Sequence, residues 1–81
     1  MDPTPEDVKR YIEQSLDCER VEVDGDGRHF QALIISAQFA GKNRVARHQL
    51  VYAALGDRMR EEIHALSIRA VTPEEYRELE G

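Results

Sequence analysis

The sequence feature that most constrains the fold is the run Asp24-Gly25-Asp26-Gly27, which separates two short apolar segments. Glycine and aspartate tolerate the positive φ angles of tight turns, so this run predicts a reversal of the chain. Before the turn, valine alternates with glutamate over residues 21–24, and after it residues 29–36 form the most strand-like segment of the chain. The pattern therefore predicts an antiparallel hairpin.

Helical signals flank this hairpin on both sides. The run Thr4-Pro5-Glu6-Asp7 combines an N-cap hydroxyl, a proline at the first helical position and two acids in the first turn. The apolar spacing that follows predicts one amphipathic helix ending near residue 17. A second helix is predicted from about residue 43 to near residue 59, with Gly56 weakening its end. The run Thr72-Pro73-Glu74-Glu75 predicts a capping box that opens a short last helix.

Residues 63–71 complete the predicted elements as a third strand. The order α, β, β, α, β, α indicates an α+β fold in which helices cover one face of a three-stranded sheet. A chain of 81 residues fits a single domain over residues 1–81 with a thin core. The core side of the second helix is expected to carry Val45, His48, Val51, Tyr52, Leu55 and Met59. The arginines of that helix are expected to point in other directions.

The composition indicates a globular protein of a reducing compartment. Hydrophobic residues at 41% and charged residues at 33% are typical of a folded domain. The longest apolar run, residues 32–35, is far shorter than the roughly 20 residues of a membrane span. The start of the chain lacks the basic and apolar stretches of a signal peptide, so we expect a cytoplasmic protein without membrane association. The single cysteine, Cys18, excludes an internal disulfide, and its acidic neighbours predict a raised pKa and an unreactive thiol.

The net charge of −5 is unevenly distributed along the chain. Residues 1–26 carry nine acids against three bases, residues 27–56 carry four bases and no acid, and residues 57–81 carry seven acids against four bases. The basic middle predicts a local basic surface near the start of the second helix. This surface either binds phosphates or is an ordinary solvated face. Its candidate residues are Lys42, Arg44, Arg47, His48 and Arg69.

Motifs for catalysis are missing from the sequence. There is no nucleophile elbow, phosphate loop or metalloprotease motif, and a core this small cannot wall a deep pocket, so we expect no enzymatic activity. The turn resembles half a calcium loop but lacks the remaining ligands. His64, in the predicted third strand, is either a hydrogen-bonded structural residue or a ligand. If the strands are neighbours, His29 comes close to it, and two imidazoles form half of an iron or copper site.

Five segments together resemble one protein family. They are Arg28-His29-Phe30, residues 36–42, residues 47–55, the run Ile63-His64-Ala65-Leu66-Ser67-Ile68-Arg69, and Thr72-Pro73-Glu74-Glu75-Tyr76. The chain resembles the BolA family over nearly its whole length, and most closely the bacterial YrbA/IbaG branch. The resemblance implies an αββαβα fold similar to the type II K-homology topology. The Gly-x-x-Gly nucleic-acid clamp is missing, because Gly41-Lys42-Asn43-Arg44 ends in arginine.

The resemblance also implies a function in iron–sulfur cluster assembly or iron regulation. Members of the family pair with monothiol glutaredoxins in heterodimers that share a [2Fe–2S] cluster, to which the partner contributes its cysteine and a glutathione thiolate. The BolA-like chain contributes the histidine that matches His64, and often a second ligand from the loop between the first two strands. That loop holds neither histidine nor cysteine here, so His29 is the nearest donor. We expect no cluster in the isolated chain, which is expected to be a monomer or weak homodimer.

Two further hypotheses stand beside this one. A DNA-binding regulator of stress response or morphology would use the basic second helix, with Lys42, Arg44, Arg47, His48 and Arg69 as its contacts. An interaction module would dock another protein through an open sheet or helix face.

Overall fold

Three strands form one mixed sheet in the order β1-β2-β3, with β1 antiparallel and β3 parallel to β2. The structure, a computed structural model, describes residues 3–80; Met1, Asp2 and Gly81, the outer limits of the predicted domain, lie outside the described residues. The elements are α1 (Pro5–Ser15), β1 (Arg20–Gly25), β2 (His29–Ile35), a short 3-10 helix (Ala37–Phe39), α2 (Arg44–Leu55), α3 (Asp57–Glu61), β3 (Ala65–Val71) and α4 (Pro73–Glu80). The predicted α+β class and element order are confirmed, with the 3-10 helix and α3 as additions.

The hairpin turn forms as its composition predicts. The Asp26 carboxylate accepts hydrogen bonds from the main-chain N–H groups of Arg28 at 3.0 Å and His29 at 2.9 Å. These two bonds hold the pKa of Asp26 below its ordinary value, because they stabilise the charged carboxylate. At Gly25, where φ is +156°, a Cβ atom would collide with the carbonyl oxygen of His29, so only glycine fits. The turn therefore fixes the register of the first two strands.

The predicted N-cap at Thr4 and the predicted capping box at Thr72 are both present, and the Thr4 cap is a capping box as well. At the start of α1, the Thr4 hydroxyl accepts from the N–H of Asp7 at 3.1 Å, and the Asp7 carboxylate accepts from the N–H of Thr4 at 3.0 Å. At the start of α4, the Thr72 hydroxyl accepts from the N–H of Glu75 at 3.2 Å, while Glu75 accepts from the N–H of Thr72 at 2.8 Å. Each box satisfies two donors that a helix end would otherwise leave unpaired.

The core lies between the sheet and the helices α1 and α2. Alternate residues of each strand face these helices, since strand side chains alternate between the two faces of a sheet. The fully buried centre of this core consists of Val8, Ile12, Phe30, Ile34, Phe39, Val51 and Leu55. The opposite face is covered at one end, where the ring of Tyr76 in α4 lies 5.6 Å from the Arg20 guanidinium and Ile35 is buried. The rest of that face is open, around the half-buried Leu33.

The prediction of one long second helix is wrong in two respects. The helix ends at Leu55, because Gly56 adopts φ +60° and ψ −138°, a conformation that breaks the helix before α3 begins. The core side is also rotated from the predicted one. Val51 and Leu55 are buried as expected, but the side chains of Val45 and Tyr52 are exposed. Consequently Arg47 lies close to the buried side of α2 rather than pointing away from it.

The predicted third strand begins two residues too early. The N–H groups of Glu62 and Ile63 both donate to the carbonyl oxygen of Arg58, at 2.9 and 3.1 Å, so these residues still close α3. The strand begins at Ala65, and His64 occupies a bend just before it rather than a position within it. The side chain of Ile63 is buried in the core and anchors this bend.

Candidate functional site

The two candidate histidine ligands lie at the same end of the sheet. The parallel register pairs His29 with Ala65, and the N–H of Ala65 donates to the carbonyl oxygen of Arg28 at 3.1 Å. His64 precedes Ala65 directly, and paired strands lie about 4.8 Å apart, so the main-chain positions of the two histidines are close. Both side chains are exposed, and within residues 3–80 neither imidazole makes a hydrogen bond. These features do not support the structural interpretation of His64.

The donor set at this end is that of half a metal site. Within residues 3–80 no three histidine, cysteine, aspartate or glutamate side chains are grouped to hold a metal ion. In the turn, one carboxylate oxygen of Asp26, Oδ1, already accepts from two main-chain N–H groups. Two exposed imidazoles suit iron when softer thiolates complete its coordination from elsewhere. The two imidazoles therefore fit part of a metal centre whose other ligands come from elsewhere.

The five candidate basic residues come together at the opposite end of the sheet. They line one concavity of about 370 Å³ between the first half of α2 and the edge of β3. Its wall also contains Ile68, Ala70 and Glu75. The basic residues are Lys42, Arg44, Arg47, His48 and Arg69. Residues as much as 27 positions apart in the sequence thus share one surface, which we call the basic groove.

Arg47 differs from the other basic residues of the groove, because its guanidinium is held by the protein itself. It forms a two-pronged ion pair with the Glu75 carboxylate, at 2.7 and 3.1 Å. It also donates to the carbonyl oxygens of Lys42 at 2.8 Å and Ala70 at 3.0 Å. Its side chain is only 14% exposed. Arg47 therefore joins the start of α2, the end of β3 and the start of α4.

The ion pair sets the charge of Glu75. The hydrogen bonds from Arg47, followed by that from the Thr72 N–H, lower the pKa of Glu75 to about 2. The sequence predicts the cap formed by Glu75 but not its pairing with Arg47, because the two residues are 28 positions apart. The net charge that remains on the groove comes from Lys42, Arg44 and Arg69, which make no ion pair within the described residues.

The start of α2 is less available to an anion than the sequence suggests. Asn43 is the N-cap, and its side-chain oxygen accepts from the N–H of Ala46 at 2.8 Å. One of the free N–H groups of this helix end is therefore already satisfied. An asparagine directly before the first helical residue is the signal that identifies this cap in the sequence.

Cys18 is half-buried beyond the end of α1, where its surroundings suppress thiolate formation. Burial is the largest cause that raises its pKa, to about 11, followed by the charges of Glu13 and Asp17. The expected direction of the shift is confirmed, and the thiol is a packing group rather than a nucleophile.

Over residues 3–80 no helix has both the length and the apolar character needed to cross a membrane.

Comparison with known proteins identifies relatives of this chain. Residues 9–75 match the family model for BolA-like proteins. The acid stress protein IbaG of Escherichia coli K12 is 37% identical over 71 residues, covering 86% of this chain and 84% of IbaG. The DNA-binding transcriptional regulator BolA of Haemophilus influenzae is 40% identical over 53 residues, covering 65% of this chain and 52% of that protein. These relatives are named as a stress protein and a regulator, not as enzymes.

A solved structure extends the likeness to the whole fold. The BolA homologue from Coxiella burnetii superposes with a TM-score of 0.86 at 45% identity, covering 93% of this chain and 97% of its own. The superposition thus spans nearly the full length of both chains. On the sequence match and the shared fold, this chain belongs to the BolA family.

Proposed function

We propose that this protein is a non-enzymatic iron–sulfur accessory protein that shares a [2Fe–2S] cluster with a monothiol glutaredoxin. The observation that carries the proposal is the parallel β2–β3 register, which brings His29 and His64 to one end of the sheet with both imidazoles exposed. A partner that supplies a cysteine and a glutathione thiolate completes the remaining coordination. The proposed role is cluster assembly, cluster trafficking or iron regulation in the cytoplasm.

The residues of this chain serve the proposed role by their position and chemistry. His64 is the first proposed ligand, since it lies in the bend before β3, anchored by the buried Ile63 and by the Ala65 main-chain bond. His29 is the second, held at the first position of β2 by the turn. A bound [2Fe–2S] cluster supplies one-electron chemistry and a transferable cargo. Neutral imidazole in place of thiolate makes such a centre less negative, and the site must lose its affinity when the imidazoles are protonated.

The test is anaerobic reconstitution of a mixture of this protein, a monothiol glutaredoxin, glutathione, iron and sulfide. We expect a visible circular dichroism spectrum that differs from that of the glutaredoxin homodimer. His64→Ala should abolish this difference, and His29→Ala should shift or weaken it. His48→Ala is the matched control, because it removes the third histidine, which lies on α2 in the basic groove. If His64→Ala leaves the mixed spectrum unchanged, the ligand assignment is wrong.

A second proposal is DNA binding through the basic groove. It is supported by the convergence of the five basic residues on one surface and by the name of the Haemophilus relative. Lys42, Arg44 and Arg69 are the charges available to phosphates, whereas Arg47 is neutralised by Glu75. Phosphate contacts by three such residues would give a logarithmic salt slope of about −3 for duplex DNA.

The test of this second proposal is a salt titration of affinity for a short DNA duplex by fluorescence anisotropy. Lys42→Glu and Arg44→Glu should each weaken binding and flatten the salt dependence. Arg60→Glu, on α3, is the control because it makes the same change of charge outside the groove. Absence of binding at low salt would contradict the proposal.

A further inference from the structure

The strand β3 has one edge that no other strand covers within residues 3–80. Its first and last residues bind β2: the N–H of Ala65 donates to Arg28, and the carbonyl of Val71 accepts from Ser36. In a parallel ladder both main-chain groups of a residue point to the same side, and alternate residues point to opposite sides. The main-chain groups of Leu66, Ile68 and Ala70 therefore point away from the sheet.

These outward groups are largely unpaired. The carbonyl oxygen of Ala70 accepts from Arg47 at 3.0 Å, which fits the outward direction of this residue. Because Ile68 and Ala70 face away from β2 and β3 pairs with no other strand within residues 3–80, the N–H groups of both residues and the carbonyl of Ile68 have no ladder partner there. Both residues line the basic groove, so these groups are open to a ligand. An open strand edge of this kind is a template for one more strand.

The charge around the open edge is positive. Lys42 and Arg44 flank it from the side of α2, and Arg69 lies on the strand itself, all three with exposed side chains. The one acid in the groove, Glu75, is already paired with Arg47. The groove is thus complementary to acidic side chains on an added strand, whereas the rest of the chain carries an excess of acid.

We propose that the open edge of β3 binds an extended acidic segment of a partner protein by strand addition. The proposal goes beyond the iron–sulfur role and does not depend on it, because the groove and the two histidines lie at opposite ends of the strand. A peptide is favoured over single-stranded nucleic acid for two reasons. The free donors and acceptors recur every second residue, which matches a strand. None of the groove-lining residues is phenylalanine, tyrosine or tryptophan, so the imidazole of His48 is the one ring among them on which a base can stack.

The proposal is tested with short synthetic probes and the full protein. The main probe is a capped octapeptide of alternating glutamate and valine. The second has the same side chains but carries N-methyl groups on alternate amides, so it cannot complete a ladder, and the third replaces glutamate by lysine. A single-stranded oligothymidine is the nucleic-acid probe. Affinity is measured by fluorescence anisotropy, and the amide exchange of Ile68 and Ala70 by NMR.

We expect the glutamate peptide to bind and to slow amide exchange at Ile68 and Ala70. The N-methylated and lysine peptides should bind at least ten-fold more weakly. The double variant Lys42→Glu/Arg44→Glu should lower the affinity about three- to ten-fold, whereas Arg60→Glu, outside the groove, should change it less than two-fold. Equal binding of the N-methylated peptide, protection by oligothymidine alone, or no binding of the glutamate peptide would each overturn strand addition.

Discussion

The two sets of candidate functional residues lie near opposite ends of β3, and they differ in whether the protein itself already binds their side chains. At the first end, His29 and His64 are exposed and make no side-chain hydrogen bond within the described residues. At the last end, the guanidinium of Arg47 makes four hydrogen bonds to three other residues and is mostly buried. A chemically suitable side chain is therefore available to bind a ligand only where it does not already bond to other parts of the fold.

Replacing the arginine is expected to have the largest effect on stability. Arg47→Ala removes the link between α2, β3 and α4 and leaves the Ala70 carbonyl unpaired. We expect a loss of about 2 kcal/mol in the free energy of unfolding, measured by urea denaturation. Arg44→Ala is the control on the same helix, where an exposed arginine should change stability by less than about 0.5 kcal/mol. Equal effects of the two variants would show that the Arg47 network has no structural role.

The same network predicts a dependence of stability on pH. The folded-state pKa of Glu75, at about 2, is below its ordinary value, so its contribution is fully present above pH 4.5 and is lost as the pH falls towards 2. Glu75→Gln should therefore be less stable than the wild type at pH 7, and the gap should narrow by pH 3. Urea midpoints of both proteins across this range measure the gap, and the subtraction removes the parallel contributions of Asp7 and Asp26, whose pKa values are also lowered. A constant gap would contradict the assignment.

Replacing either histidine should have the smallest effect on stability. His29→Ala and His64→Ala are each expected to change the free energy of unfolding by less than about 0.5 kcal/mol, since both side chains are exposed and make no side-chain hydrogen bond within residues 3–80. The urea measurement used for Arg47→Ala applies unchanged. A loss above about 1 kcal/mol in either variant would mean that the imidazole has a structural role, and would remove the contrast between the two ends of the strand.

Local signals in the sequence predict most of the fold. The Asp24–Gly27 turn, the caps at Thr4 and Thr72, and the strand at residues 29–36 depend on neighbours within about four positions, so their chemistry is visible in the chain. Which side of α2 faces the core cannot be predicted from such local signals. An arginine on the buried side of a helix is acceptable only because Glu75 and the Ala70 carbonyl meet it there.

For the candidate sites too, the sequence predicts what depends on nearby residues and not what depends on distant contacts. The absence of acids over residues 27–56 predicts a basic surface that contains Lys42, Arg44, Arg47 and His48, but it does not account for Arg69, which lies outside that stretch. Which of the charges on this surface are free is not predictable in this way, because that depends on contacts 23 to 28 positions away. The neighbouring positions of His29 and His64 follow from the pairing of β2 with β3. The sequence does not predict this pairing, so it predicts two close histidines only if the two strands are neighbours.

The parallel pairing of β2 with β3 has a consequence for the order of folding. His29 belongs to a local hairpin, whereas His64 comes beside it only when β3 docks, after residues 36–64 have formed the connection between the two strands. Contacts of such sequence separation form later than those of a hairpin, because a longer loop must be closed first. A chain whose last strand has not docked thus presents one imidazole at that end, and a chain that has finished folding presents two. The proposed cluster partner would in this way recognise only the mature protein.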